Sequence, residues 1–191
     1  MLKYLYGSGL TMKKSILLKI FGIFSTLFIV FYTCSTLTSD ASTSCYTFNA
    51  CSPKQITYDN FLKIKIGSNY TDIVNILGSE SCKSTKVING LKNDIYLWKV
   101  NGTEKSIFIT FRNGIVITKE QYKLNENTNN FSNENIRKLK SGMTYSDVVS
   151  ILGKGLLLSE SKNIKVYSFC NSQHCIICTF NNDKLNMFIQ K

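Results

Sequence analysis

The chain has 191 residues, 43% hydrophobic and 12% aromatic, with one Pro and 11 Gly; this composition supports one or two packed domains and excludes a disordered or collagen-like chain. Its 23 Lys and Arg against 12 Asp and Glu give a formal charge of +11. The lysines are spread along the chain with no basic stripe, so the charge reads as a solvated surface and no nucleic-acid partner is expected.

Lys13, Lys14 and Lys19 precede the run IFGIFSTLFIVFYTC, residues 20–34. Positive charge ahead of an apolar segment is the pattern of an export signal. A run of about 15 residues falls between the apolar heart of a signal peptide and the ~20 residues of a membrane span. Residues 1–35 therefore read as a signal peptide or membrane anchor, with Met12 able to open the signal by itself as MKKSILLK. Thr33 and Ser35, or Ser39 and Ala41, offer small residues for cleavage, whereas Phe31-Tyr32-Thr33 lacks the small residue that lipidation of Cys34 would need. The expected location is extracytoplasmic, either secreted or anchored in the cell membrane, and residues 36–56 read as a linker.

Cysteine usage agrees with export. Removing the leader through Cys34 leaves six of the seven Cys, an even number that allows fifteen disulfide connectivities in an oxidising compartment. Cys45 and Cys51 bracket one short loop, and Cys170 and Cys175 bracket Asn171 to His174, so both pairs are disulfide candidates. A metal site on Cys170, His174, Cys175 and Cys178 is the competing reading. Cys175 and Cys178 would lie on opposite faces of a strand, and structural zinc usually takes two separated ligand pairs, so no metal or cofactor is expected.

Segment 57–66, TYDNFLKIKI, reads as a short helix stopped by Gly67. KIKIGSNYTDIVNILG, residues 63–78, then recurs as KLKSGMTYSDVVSILG, residues 138–153, with nine of sixteen positions identical at an offset of 75. Such recurrence marks two copies of one structural unit. Asn69 with Asp72, and Thr144 with Asp147, place a cap oxygen three residues before a carboxylate at a helix start, and Gly78 and Gly153 supply the stops. Capping explains both Asp residues without catalysis.

The apolar period then changes to two. In the first copy, residues 95–100 and 105–111 flank Asn101-Gly102-Thr103-Glu104, and Arg112-Asn113-Gly114 turns into IVITKEQY; in the second, KVYSFC and CIICTF flank Asn171 to His174, and Asn181-Asn182-Asp183 turns into KLNMFIQ. Four-residue loops set Trp98 opposite Ile107 and Phe169 opposite Ile176. Tyr96, Trp98, Ile107, Ile109 and Phe111 then share one face with its counterpart Tyr167, Phe169, Ile176, Cys178 and Phe180, expected against the helices. The other face carries Lys99, Phe108, Thr110, Ser168, Ile177 and Thr179 as a candidate interaction face, with Cys170 facing Cys175. The expected fold class is α+β: tandem repeats over residues 57–124 and 133–191, joined by a linker at 125–132. Each repeat is expected to pack two short helices on an antiparallel sheet of three to four strands.

Phe61 to Gly78 and Ile136 to Gly153, with Leu157 to Ser161 and Tyr96-x-Trp98, follow a signature of the form F-x-K-I-x-x-G-M-T-Y-x-x-V-x-x-I-L-G. In these residues the chain resembles the beta-lactamase inhibitory protein (BLIP) fold, shared with the SmpA/OmlA envelope lipoproteins, and is most similar to exported domains of unknown function from low-GC Gram-positive bacteria. The resemblance implies a non-catalytic protein-binding module, with a membrane-anchored assembly or scaffold lipoprotein of SmpA/OmlA type as the alternative. In the inhibitory protein a disulfide ties the segment after each second helix to a strand. Here Cys82 matches the first of those places in one copy and Cys170 the second in the other, so that pairing does not transfer, and neither do enzyme-binding loop residues. A single His and the absence of a glycine-rich phosphate loop leave acid–base or nucleophilic chemistry without a site. The expected partner is a protein, with membrane contact through an uncleaved leader.

Overall fold

Thr57 begins the ordered architecture: its hydroxyl accepts the Asn60 N–H at 3.1 Å and starts helix α1, Tyr58–Lys63. In the computed structural model, residues 55–126 and 128–191 are described; the leader, the Cys45/Cys51 pair and nearly all of the 36–56 linker lie outside them. Helix α2, Tyr70–Leu77, opens on a capping box in which Asn69 accepts the Asp72 N–H at 3.0 Å and Asp72 accepts the Asn69 N–H at 3.2 Å. Strands β1 (Cys82–Ile88), β2 (Leu91–Lys99), β3 (Ser106–Arg112) and β4 (Ile115–Tyr122) follow. The chain then forms α3 (Asn133–Arg137) and α4 (Tyr145–Leu152), the latter capped by Thr144 and Asp147 as the sequence predicts. Strands β5 (Leu156–Ser161), β6 (Ile164–Cys170), β7 (Cys175–Asn181) and β8 (Lys184–Gln190) complete it.

The predicted fold class is corrected here. The strands do not form two small sheets but one eight-stranded antiparallel sheet in the order β1 to β8, and the described helices are only five to eight residues long, so the molecule is mainly β. The reason is the pairing of β4 with β5 through Thr118–Ser161, Lys119–Glu160 and Glu120–Ser159, which welds the halves across the middle of the sheet. Neither β1 nor β5 is among the strands read from sequence. CKSTKVI alternates weakly, and LLLSES is interrupted by a register shift between Leu157 and Ser159.

The predicted registers of both central hairpins hold: Trp98 pairs with Ile107 and Phe169 with Ile176. Phe61, Ile64, Ile73 and Leu77 pack with Trp98, Ile107, Ile109, Phe111 and Val116 in one core. Ile136, Val148 and Leu152 pack with Phe169, Ile176, Cys178 and Phe180 in a second, and Tyr167 touches both. The Trp98 indole donates to the Gly78 carbonyl at 2.9 Å, so the residue ending α2 also satisfies the one polar atom of the largest core side chain.

A buried ammonium pins the weld. Lys119, 2% exposed, donates to the Phe61 and Ile64 carbonyls at 3.2 and 2.6 Å, lies over the Phe61 ring and pairs with Glu160 at 3.0 Å. It ties the end of α1, strand β4 and strand β5 together, meeting the demand that a buried charge be paired and hydrogen-bonded. Nearby, the Gln121 amide donates to the Leu157 carbonyl at 3.3 Å, and the Leu157 N–H donates to the Tyr58 hydroxyl at 2.8 Å.

Candidate protein-binding face

Alternation along a strand sends successive side chains to opposite faces, so the register determines which residues share each face. One row crosses all eight strands: Cys82, Leu97, Phe108, Glu120, Ser159, Val166, Thr179 and Met187. The adjoining row, containing Tyr96, Ile109, Lys119, Glu160 and Phe180, lies on the helix side. All four described helices contribute their buried residues to cores on that side, and no member of the first row belongs to either core. The first row therefore runs along a sheet face on which none of the described helices packs.

The six candidate face residues differ in access. Lys99 is exposed, Phe108 and Thr110 are half-buried, and Ser168, Ile177 and Thr179 are buried at 5%, 9% and 9% exposure. Ser168 and Ile177 sit in a cross-strand row with Leu156 and Ile189, and Thr179 sits between Val166 and Met187. The more open part of the face thus lies on β2 to β4. Sequence reading missed its central charge, Glu120, fourth in the eight-strand row between Phe108 and Ser159. Burial pushes the Glu120 carboxyl up from 4.5 to about 7, and no neighbouring cation opposes the shift. The alternation of ITKEQY puts Glu120 opposite the buried Lys119; the register with Phe108 and Ser159 was needed to tell which face was which.

At one rim of this face, Cys170 and Cys175 form a disulfide with a Cα–Cα distance of 4.0 Å, as the hairpin register predicts. Asn171 organises the enclosed loop: its side-chain oxygen accepts the Gln173 and His174 N–H groups at 2.8 and 2.6 Å, and its amide donates to the Phe131 carbonyl at 2.7 Å. His174 lies 3.1 Å from the Gln190 amide, in keeping with a turn residue. Cys178 is a fully buried thiol on the helix side, its pKa pushed up to about 12 by burial. Cys82 lies in the opposite-face row, which rules out the longer-range Cys82–Cys178 bond that the sequence leaves open.

Asp72 and Asp147 are occupied as helix caps, and hydrogen bonding from Thr144 holds the Asp147 carboxyl below its usual range. Among the described residues no group of three or more His, Cys, Asp or Glu side chains could hold a metal ion, and no helix is long and apolar enough to cross a membrane.

The antiparallel sheet thus carries the described helices on one face, and on the other a row in which the half-buried Phe108 stands beside the Glu120 carboxyl. The chain belongs to the beta-lactamase inhibitor (BLIP) family, whose profile matches residues 57–177. Its fold is similar to the crystal structure of a proposed beta-lactamase inhibitor protein from Streptococcus mutans, with a TM-score of 0.58 at 17% sequence identity, over 74% of this chain and 98% of that one. No curated protein matches the chain.

Proposed function

We propose that this protein is an exported, non-catalytic binding module that holds an envelope enzyme, of the class its family name points to, against the sheet face opposite its helices. The observation that carries the reading is the eight-strand row that sets Phe108 beside Glu120 on the neighbouring strands β3 and β4. It combines a half-buried aromatic, the side-chain class that most often anchors a protein interface, with the Glu120 carboxyl and the neighbouring Ser159 and Thr179 hydroxyls. Export is supported by the leader pattern of residues 13–34 and by the Cys170–Cys175 bond, because disulfides persist in oxidising compartments.

The test is a binding isotherm for purified serine beta-lactamases over the immobilised protein, repeated with Phe108→Ala. Loss of an interface anchor typically costs 2 kcal/mol or more, so the expected result is binding of at least one enzyme, weakened roughly tenfold or more by the substitution. Binding of none, or binding indifferent to Phe108→Ala, contradicts the reading.

A further inference from the structure

We propose that the β1–β2 hairpin tip, independently of the sheet face, is a docking element for an anionic lipid bilayer. The turn Asn89-Gly90 has positive φ at both residues (51° and 75°), which lets β1 and β2 form a tight two-residue hairpin. Its tip is unusually apolar for an exposed ribbon. Val87 is 71% exposed, Ile88 37% and Leu91 48%, three of only six large hydrophobic residues that are exposed among the described residues. β1 is an edge strand, where apolar exposure invites unwanted pairing and is ordinarily suppressed, so its retention at this tip calls for an occupant.

Two features select a bilayer over a protein groove. First, Ile88 pairs with Leu91 and Val87 with Lys92, in successive register positions, so the apolar side chains project from both faces of the ribbon. A protein groove would complement one face, whereas a lipid interface surrounds the tip. Second, lysines stand directly behind the apolar residues. Lys92 lies one register step behind the tip and Lys86 two, or about 3–7 Å at strand rise, the depth at which ammonium groups meet headgroup phosphates when an apolar tip enters the acyl boundary. Lys83, three residues further back along β1, is engaged by Asp94 at 3.7 Å, and Asp94 also accepts from Thr85, so the one carboxylate on these two strands is already paired. The tip therefore presents apolar surface and uncompensated positive charge together, complementary to an anionic membrane and not to a neutral one.

The test uses the full chain bearing Val87→Trp, with Leu62→Trp on α1 as the control for an exposed apolar position outside the hairpin and for the leader, which both variants share. Emission is read on vesicles containing brominated phosphatidylcholine, with and without phosphatidylglycerol; Trp98 is buried and serves as a constant background. The expected result is quenching at position 87 and not at 62, only when phosphatidylglycerol is present. Adding Lys86→Glu and Lys92→Glu should weaken the lipid-concentration dependence on the order of tenfold, and Leu91→Asp should abolish the quenching. Equal quenching at 62 and 87, no quenching at 87, or insensitivity to the charge reversals would each overturn the proposal. Circular dichroism of every variant keeps a folding failure from passing as loss of docking.

Discussion

Glu120 and Lys119 are adjacent in sequence and opposite in circumstance. Lys119 is turned toward the helices, where two carbonyls and Glu160 satisfy it; Glu120 is turned toward the opposite face, where burial leaves it without a cation among the described residues. The folded protein therefore favours the protonated Glu120. Both states are protonated below about pH 4.5; as pH rises toward about 7 the unfolded chain ionises first, so this group's contribution to stability falls across that window. Raising a carboxyl from 4.5 to about 7 costs the charged form up to about 3 kcal/mol, and partial solvent access brings the figure nearer 1. Glu120→Gln should accordingly stabilise the protein by about 1 kcal/mol at pH 8 and leave it nearly unchanged at pH 4.5. Urea unfolding at the two pH values measures this, and equal effects at both would place the Glu120 carboxyl in ordinary solvent. The same deficit gives a partner's cation a ready counterpart at the centre of the face.

At the scale of single elements, the disulfide closing the β6–β7 hairpin offers the cleanest prediction. It closes a ring of six residues, for which the loop-entropy account gives about 2 kcal/mol of stabilisation. Replacing both Cys170 and Cys175 by Ser should lower unfolding free energy by about that amount, most visibly as faster amide exchange in Asn171 to His174. An effect below about 0.5 kcal/mol would mean that the Asn171 hydrogen bonds alone fix the loop.

What could be read in the sequence was local. The capping boxes at Asn69 and Thr144, the stops at Gly78 and Gly153 and the Trp98–Ile107 and Phe169–Ile176 registers depend on residues a few positions apart, and all are present. What escaped was non-local or bulged. The β4–β5 pairing joins residues about 40 positions apart, and register shifts at Thr110/Phe111, Leu157/Ser159 and Thr179/Phe180 break the alternation from which a face is counted. Hence the sequence does not mark Lys119 as buried or place Glu120 on the face opposite the helices, and Ser168, Ile177 and Thr179 give no sign of their low exposure.

For the whole molecule, fusion into one sheet changes how stability is shared. Either half alone would be small enough for its core to be marginal. With Tyr167 touching both cores and Lys119 bridging α1, β4 and β5, the described residues should unfold in one cooperative transition. Lys119→Met, which strands Glu160 and two carbonyls, should lower stability by about 3 kcal/mol. Two well-separated calorimetric peaks in the unaltered protein would contradict the shared sheet.

The continuous sheet also gives the face opposite the helices its extent, and the proposal that this face receives a protein can be tested in living cells. Full-length protein carrying a photoreactive phenylalanine analogue at position 108, or at Leu62 on the helix side as the comparison, is irradiated in cells that export it. Cross-linking to an envelope protein from position 108 and not from 62 is the predicted result. Cross-linking from 62 with none from 108 would move the binding surface to the helices and contradict the account.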